Sequence, residues 1–276
     1  IIKLGTAALN VLYFFIKLLP VKNKVVMISR QSNTPSIDFI LLKKALQQQD
    51  ASVDVVFLCH TLDGGLKSSY KDKIKYAFHM LKQMKEIASS KVIVLDTYCI
   101  VISLLKHRRS LKIIQMWHSI GTMKKFGYTA LDTAEGTSTK IATAMRMHEQ
   151  YSYVFASSPA YQADLAKGFH CPEDIVRIYP LPRVDILTDA SYKQEMRKKL
   201  YQRYPILKEK QVILYVPTFR KKETMMQTYV DKLCDALYDD QILVVKRHPL
   251  SKLTIHNPHV LVDTSFTSFD TVSYTH

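Results

Sequence analysis

Two histidines occupy equivalent places in the sequence, each directly after a short apolar run. His118 follows residues 112–117, and His248 follows residues 242–247. An imidazole at a strand end can act as a general base near neutral pH, or donate hydrogen bonds to phosphate oxygens when protonated. A histidine that merely caps a strand is the alternative for either one alone. Their repetition at two strand ends favours a functional role.

Cations and a hydroxyl residue accompany these histidines at strand ends and at a proline-rich junction. Such a grouping is what a site for a diphosphate would need. Solvated surface charge is the alternative, since most lysines are exposed. At the junction, Arg183 could bind phosphate while Asp185 orients it, or the two could form an interdomain salt bridge. The residues concerned are Lys124, Lys125, Arg183, Thr218, Arg220, Lys246 and Arg247.

Several familiar catalytic signatures do not occur in the sequence. The patterns of P-loop NTPases, dinucleotide oxidoreductases, α/β-hydrolases and zincins are all missing. The four cysteines are scattered without a C-x-x-C pair, which indicates reduced thiols in a cytoplasmic compartment and predicts no metal site. His60, which follows Cys59 after another apolar run, is interpreted as structural, and so are His256 and His259.

Short β-branched runs alternate with longer helical segments, which predicts a parallel α/β sheet. A second α/β set follows the prolines near residue 180, so we expect two Rossmann-like lobes, over residues 25–180 and 181–276. Ligands of such sheets bind beyond the carboxyl ends of the strands. The predicted strands are 25–28, 53–58, 92–95, 112–117, 153–156, 175–178, 212–216 and 242–246, and the predicted helices are 38–49, 66–89, 137–149 and 192–204.

The N-terminal segment and the net charge both point to an anionic surface. The chain of 276 residues has a formal charge of +15. Residues 1–19 are apolar apart from four positions, and a basic stretch follows Pro20. We predict a membrane-associating helix over residues 1–24 that docks on an anionic leaflet. A signal-anchor and a buried core helix are the alternatives.

The strand-end motifs, taken in order, resemble the CDP-glycerol glycerophosphotransferase family, which makes wall teichoic acid and related polymers. The resemblance extends from about Met27 to the end of the chain, and the ordered set is far more specific than any one member. The motifs are Trp117-His118, Gly121, Lys124-Lys125-Phe126-Gly127, Pro182-Arg183-Val184-Asp185, Tyr215-Val216-Pro217-Thr218-Phe219-Arg220 and Lys246-Arg247-His248-Pro249.

The resemblance implies a GT-B-like bacterial enzyme, peripheral on the cytoplasmic face of the cell membrane. It would transfer glycerol phosphate or ribitol phosphate from CDP-glycerol or CDP-ribitol to a lipid-linked teichoic acid precursor, and release CMP without a cofactor. His118 would be the base, His248 and Arg247 would hold the donor diphosphate, and Lys246, Arg220, Thr218 and Arg183 would contact donor phosphates. The loop on the acceptor side would comprise Ser119, Gly121, Lys124 and Lys125.

Two departures from the family pattern qualify these expectations. Ser119 stands where the family usually has glycine, and the family's further Asp-Tyr-Ser-type motif has only a loose imitation after Asp263. We therefore expect the second lobe to be incomplete at its C-terminus. A GT-B nucleotide-sugar glycosyltransferase and a non-catalytic module for anionic polymer or membrane are the rival functions. Nucleic-acid binding is not expected, because the cations do not form an aromatic-interleaved stripe.

Overall fold

A computed structural model describes residues 2–61, 69–134, 136–217, 224–247, 251, 254–257 and 259–264. The chain divides into two compact units, residues 1–184 and 185–276. Each unit is built on its own sheet, and all strand pairs in both sheets are parallel. The prediction of a parallel α/β fold is confirmed.

The first unit contains a six-stranded sheet and the helices that connect its strands. Its elements are α1 (Ile2–Ile16), β1 (Lys24–Ser29), α2 (Ile37–Gln49), β2 (Asp54–Cys59), α3 (Tyr70–Ala88), β3 (Val92–Leu95), α4 (Ile100–Leu104), β4 (Lys112–Gln115), α5 (Thr139–Ala144), β5 (Tyr153–Ala156), α6 (Gln162–Phe169), β6 (Val176–Ile178) and α7 (Arg183–Thr188), which continues into the second unit. The strand order is β2-β1-β3-β4-β5-β6.

Strand β1 lies inside this unit and is buried at all six positions. Its side chains alternate between two apolar clusters, with Val26 and Ile28 in one and Val25 and Met27 in the other. This is the period-two alternation of a strand that helices cover on both faces. The near-continuous apolar run therefore reflects burial on both sides of the sheet.

The helices begin at residues that satisfy their first amide groups. The hydroxyl of Ser36 accepts a hydrogen bond from the amide of Phe39 at the start of α2, and that of Ser69 accepts from Asp72 at the start of α3. Both are standard N-caps, each contributing about 1 kcal/mol. Each of these helices therefore begins close to the residue at which the spacing of apolar residues changes from that of a strand to that of a helix.

Helix α1 docks on the first unit through Leu9, Tyr13 and Ile16, which pack on the main apolar cluster, and through polar side chains. The Asn10 side-chain amide donates to the carbonyl of Leu104 at 3.0 Å, and its oxygen accepts from the amide of Lys106 at 2.8 Å. The Tyr13 hydroxyl lies 2.9 Å from Nδ1 of His107. Leu4, with 77% of its surface exposed, exemplifies the opposite face, which is apolar. Among the described residues, no helix combines the length and apolarity needed to cross a bilayer.

The second unit holds a smaller sheet. Its elements are α8 (Ala190–Arg203), β7 (Gln211–Tyr215), α9 (Thr224–Asp235), β8 (Gln241–Val245) and β9 (Val260–Val262), with strand order β7-β8-β9. Val230 of α9 packs with Leu243 and Val245 of β8 at its centre. The sequence predicted β7, β8 and α8 but neither α9 nor β9.

Two predicted boundaries in the first unit are wrong. The helix predicted over 137–149 is only α5, because Arg146, His148 and Gln150 adopt positive φ angles that no α-helix permits. The Gln150 side chain instead donates to three carbonyls at the end of α4 and beyond it, including that of Ile102 at 2.7 Å. Strand β4 ends at Gln115 rather than at residue 117, because Trp117 has a φ of 65°.

Candidate active site at the carboxyl edge of the first sheet

The strand order of the first sheet defines where a ligand should bind. The connections from β1 to β2 and from β2 to β3 place β2 and β3 on opposite sides of β1. Such a reversal opens a crevice at the carboxyl ends of the strands, where open α/β sheets bind their ligands. Arg30 directly follows β1, Asp96 directly follows β3 and His118 is the third residue after β4, so all three lie along this edge.

His118 is held in one tautomer by the neighbouring strand. Its Nδ1 lies 2.8 Å from the carbonyl oxygen of Asp96. A carbonyl only accepts, so Nδ1 carries the proton, and Nε2 of the neutral ring is an acceptor. The strained backbone at Trp117 orients the His118 ring. The backbone amide of Trp117 donates a hydrogen bond to the Gln115 side chain at 3.0 Å. His118 therefore has the geometry of a base.

The pKa of His118 lies below its ordinary value. Burial is the main cause, because it disfavours the imidazolium, and the positive charge of Arg183 acts in the same direction. The hydrogen bond to the Asp96 carbonyl opposes both effects. The ring is therefore neutral near pH 7, as a base must be before it accepts a proton.

Arg183 is anchored by a buried carboxylate at the start of α2. Its backbone amide donates to Oδ1 of Asp38 at 2.8 Å, and its Nε donates to Oδ2 at 2.7 Å. Nη2 also contacts Oδ2. The Asp38 side chain is 1% exposed, whereas that of Arg183 is 24% exposed. The carboxylate paired with Arg183 is thus Asp38 and not Asp185, and the Nη1 side of the guanidinium faces away from this pair.

Asp96 is a buried carboxyl group at the same edge. Its Oδ1 accepts no hydrogen bond from the described residues. Burial raises the pKa of Asp96 to about 6, although hydrogen bonds from Ser29 and Thr97 act against the increase. A carboxyl group in such surroundings is partly protonated near neutral pH. Asp96 directly follows β3. A search for functional residues at strand ends, which selected His118, could therefore also have selected Asp96.

The loop after His118 is shaped by aromatic packing. The Ser119 hydroxyl donates to the carbonyl of Gly121 at 2.8 Å, and a Cβ at Gly121 would lie 3.2 Å from the Tyr161 ring. Trp117 packs on both His118 and Phe126, with ring centroids 4.0 and 4.7 Å apart. Farther along the loop, two predicted cations are exposed to solvent. They are Lys124 and Lys125.

Apart from Arg183, which belongs to the first unit, the predicted donor-side residues lie in the second unit. The Lys246 ammonium is 3.3 Å from a carboxylate oxygen of Asp263, whose side chain is fully buried. The ammonium also donates to the Asp263 carbonyl at 3.1 Å. Arg247 is half-buried after β8. Thr218, Arg220 and His248 lie outside the described residues, so their predicted roles have no structural test.

The structure thus brings His118 and Arg183 together in the first unit and adds two residues that the sequence analysis missed. These are Asp38 and Asp96. Asp38 lies 145 positions from Arg183 in the sequence, so no local signal pointed to it. Within the described parts of the chain, His, Cys, Asp and Glu side chains form no group of three that could hold a metal ion.

Comparison with known proteins identifies the class of protein to which this chain belongs. The chain belongs to the CDP-glycerol:poly(glycerophosphate) glycerophosphotransferase family, whose sequence model matches residues 11–269. This is a family of teichoic acid polyol-phosphate transferases, which are enzymes. The resemblance stated from the strand-end motifs is confirmed.

The chain is similar in sequence to teichoic acid primases and polymerases. It is 30% identical to the teichoic acid poly(ribitol-phosphate) polymerase of Bacillus spizizenii over 95% of this chain and 41% of the relative. It is 30% identical to the teichoic acid glycerol-phosphate primase of Bacillus subtilis over 63% of this chain and 45% of the relative. The chain therefore spans less than half the length of either.

A solved structure shares the fold. The wall teichoic acid polymerase TagF, in a histidine variant, superposes with a TM-score of 0.67 over 99% of this chain and 72% of TagF. The sequence identity is 14%, so this likeness supports the α/β architecture alone.

Proposed function

We propose that the protein transfers a polyol phosphate from a CDP-linked donor to a hydroxyl of a lipid-linked teichoic acid precursor, with His118 as the general base. The observation that carries the proposal is the hydrogen bond from Nδ1 of His118 to the Asp96 carbonyl, because it leaves Nε2 as an acceptor. Family membership supplies the substrate class, since the family is described by a CDP-glycerol donor and a poly(glycerophosphate) acceptor.

In the proposed reaction, Nε2 of His118 removes the proton from the acceptor hydroxyl. The hydroxyl oxygen then bonds to the phosphorus that carries the polyol, while the bond from that phosphorus to the bridging oxygen breaks and CMP leaves. The proton passes from His118 to solvent or to the departing phosphate. Arg183 contributes positive charge near the transferred phosphoryl group, which matters because phosphoryl transfer depends on positioning and charge neutralisation.

The remaining site assignments belong to the same proposal. Residues 25–180 would form the acceptor-side lobe and residues 181–276 the donor-side lobe of a GT-B transferase. The loop of Ser119, Gly121, Lys124 and Lys125 would face the acceptor. The donor diphosphate would be held by Arg247 and His248, with Thr218 and Arg220 as further phosphate contacts, whereas Lys246 is paired with the buried Asp263.

Membrane attachment through α1 is a further part of the proposal. One face of α1 packs on the protein, and its exposed face carries the large apolar side chains of Val11, Phe14 and Phe15, with exposed fractions of 59 to 62%; Leu18, just after the helix, is 73% exposed. Helix α3 packs against α1 and exposes Phe78 at 67%. Apolar faces of this kind beside many lysines suit the interface of an anionic bilayer.

Release of CMP tests the proposed reaction. CDP-glycerol and CDP-ribitol would be supplied in parallel with a synthetic lipid-linked acceptor to the 276-residue chain. We expect acceptor-dependent release of CMP from one of the two donors. Release of a nucleoside diphosphate from a nucleotide sugar would identify a glycosyltransferase instead. Vesicle binding without turnover of any donor would identify a non-catalytic module.

Vesicle sedimentation tests the role of α1. The double substitution Phe14→Ser and Phe15→Ser removes two exposed rings, and we expect binding to phosphatidylglycerol vesicles to weaken roughly 10- to 100-fold. The matched control is Tyr238→Ser, which removes another ring that is 74% exposed, in the second unit. Equal binding by the double variant and the control would contradict attachment through α1.

A further inference from the structure

A second group of polar rings lies at the carboxyl edge of the first sheet, away from His118. His60 follows β2, while Tyr76 and His79 lie on α3. The rings of His60 and His79 have centroids 4.9 Å apart, and Tyr76 is within 6.0 Å of both. All three are half-buried. The mechanism proposed above uses none of them, and the sequence indicated only a structural role for His60.

The orientation of this group is fixed by the backbone and by buried side chains. The amide of His60 donates to the Ser29 carbonyl at 3.1 Å, and the next amide, of Thr61, donates to the Asn33 side chain at 2.9 Å. Gln83, which is 1% exposed, lies 3.0 Å from Nε2 of His79. The rings are thus held before any ligand arrives, as a binding site requires.

A relay of hydrogen bonds assigns the tautomer of His79. The Cys99 thiol donates to the side-chain oxygen of Gln83 at 3.9 Å, so the Gln83 nitrogen is the donor toward His79. Nε2 of His79 therefore accepts, and Nδ1 carries the proton of the neutral ring. His79 can donate from Nδ1 to an oxygen without first becoming charged.

Positive charge adjoins these rings. Arg30 directly follows the residue that binds the His60 amide, and its charge lowers the pKa of Tyr76 against the larger effect of burial. Lys82 lies near His79. Among the residues that the structure describes, Arg30 pairs with no carboxylate, and its guanidinium contacts the Tyr98 carbonyl at 3.5 Å. An exposed guanidinium beside imidazole N–H groups suits a phosphate oxygen.

The strand order sets the distance from this group to the base. Strands β2 and β4 are three steps apart in the sheet, which places His60 and His118 about 14 Å apart at about 4.8 Å per step. Arg30, which directly follows the intervening strand β1, lies between them. A ligand that reaches both histidines is extended and anionic near Arg30.

We propose that Arg30, His60 and His79 bind a phosphodiester of the acceptor chain while its terminal hydroxyl reacts at His118. The inference rests on the proposed function, because that function makes the acceptor a polyol-phosphate chain. The site selects acceptors that already carry a phosphodiester, and it contributes to acceptor affinity rather than to the chemical step.

Titration calorimetry with a synthetic glycerol-phosphate oligomer that contains phosphodiesters tests the site, and a neutral oligoglycerol of equal length is the comparison. We expect only the anionic oligomer to bind. Arg30→Gln and His79→Asn should each weaken its binding roughly 10-fold or more, as expected for loss of a hydrogen bond to a charged group. The matched controls are Arg177→Gln and His170→Asn, at exposed positions elsewhere in the first unit. His170 has a φ of 52°, a conformation that asparagine tolerates.

The outcomes separate this inference from the proposed function. Equal binding of the neutral oligomer, or an unchanged affinity in Arg30→Gln, overturns the phosphodiester site even if the wild-type protein releases CMP. Binding that depends on Arg30 in a protein that turns over no CDP-linked donor supports the site and rejects the reaction. Arg30 is exposed, so its variant remains informative if His79→Asn fails to fold.

Discussion

The carboxyl edges of the two sheets each hold a buried acid paired with a cation, yet the cations differ in what they can still bind. In the first unit, Asp38 contacts Arg183 through Nε and Nη2, and the arginine side chain remains 24% exposed. In the second unit, the Lys246 side chain is 9% exposed against a fully buried Asp263. The Tyr204 hydroxyl also donates to Asp263 at 3.0 Å.

The difference follows from the shapes of the two cationic groups. A guanidinium is planar and has separate edges, so one edge can be anchored while another meets a substrate oxygen. An ammonium is a point charge, and burial beside a carboxylate neutralises it as a whole. We infer that the first edge is arranged for chemistry and that the Lys246–Asp263 pair mainly holds the second sheet together. Three predictions test this contrast.

The largest expected effect is at the base of the first edge. In His118→Gln, the side chain cannot accept a proton, so kcat should fall by about 10²- to 10⁴-fold. Donor affinity should change little, because in the proposed reaction the ring contacts the acceptor hydroxyl and not the donor. Steady-state CMP release, compared with His170→Asn as a histidine control, measures the loss. Turnover within a factor of two or three of the parent protein would remove His118 from the mechanism.

At the carboxyl edge of the second sheet, a substitution should lower the free energy of unfolding of the protein. Lys246→Met leaves the carboxylate of Asp263 buried without its cation, and removal of one partner of a buried pair costs about 3 kcal/mol or more. Chemical denaturation measures this change. The double variant with Asp263→Asn should recover part of the loss. A stable Lys246→Met protein with a strongly raised KM for the CDP-linked donor would show that Lys246 binds phosphate, against the contrast drawn here.

The smallest effect is on the acid limb of the pH profile of kcat/KM. Arg183 lowers the pKa of His118, so Arg183→Gln should raise that pKa. The acid limb should therefore move to higher pH, because His118 would become protonated earlier on acidification. Asp38→Asn removes the charge that offsets Arg183, so the limb should move to lower pH. We expect each shift to be less than about one unit. Shifts in the same direction would indicate general structural damage.

Sequence patterns predicted the strands of the first sheet because a strand buried on both faces is apolar throughout, as in β1. They also selected His118, because a strand end is a local feature. Sequence patterns could not identify the partner of Arg183, because Asp38 and Arg183 come into contact only in the tertiary fold. The burial of Lys246 and the left-handed residues after α5 were missed for the same reason, because tertiary contacts stabilise both.

The proposed attachment through α1 would also limit how the first unit can tilt on a bilayer. Besides the bonds made by Asn10 and Tyr13, the Lys17 ammonium donates to the Lys106 carbonyl at 2.7 Å, and Arg108 donates to the Leu19 carbonyl at 2.8 Å. Rolling the helix would break these bonds together. A protein on a flexible tether samples every orientation, whereas one held by a helix that is bonded to it at several positions keeps a constant angle to the bilayer. The height of the His118 edge above the lipid headgroups would then be set by the fold itself.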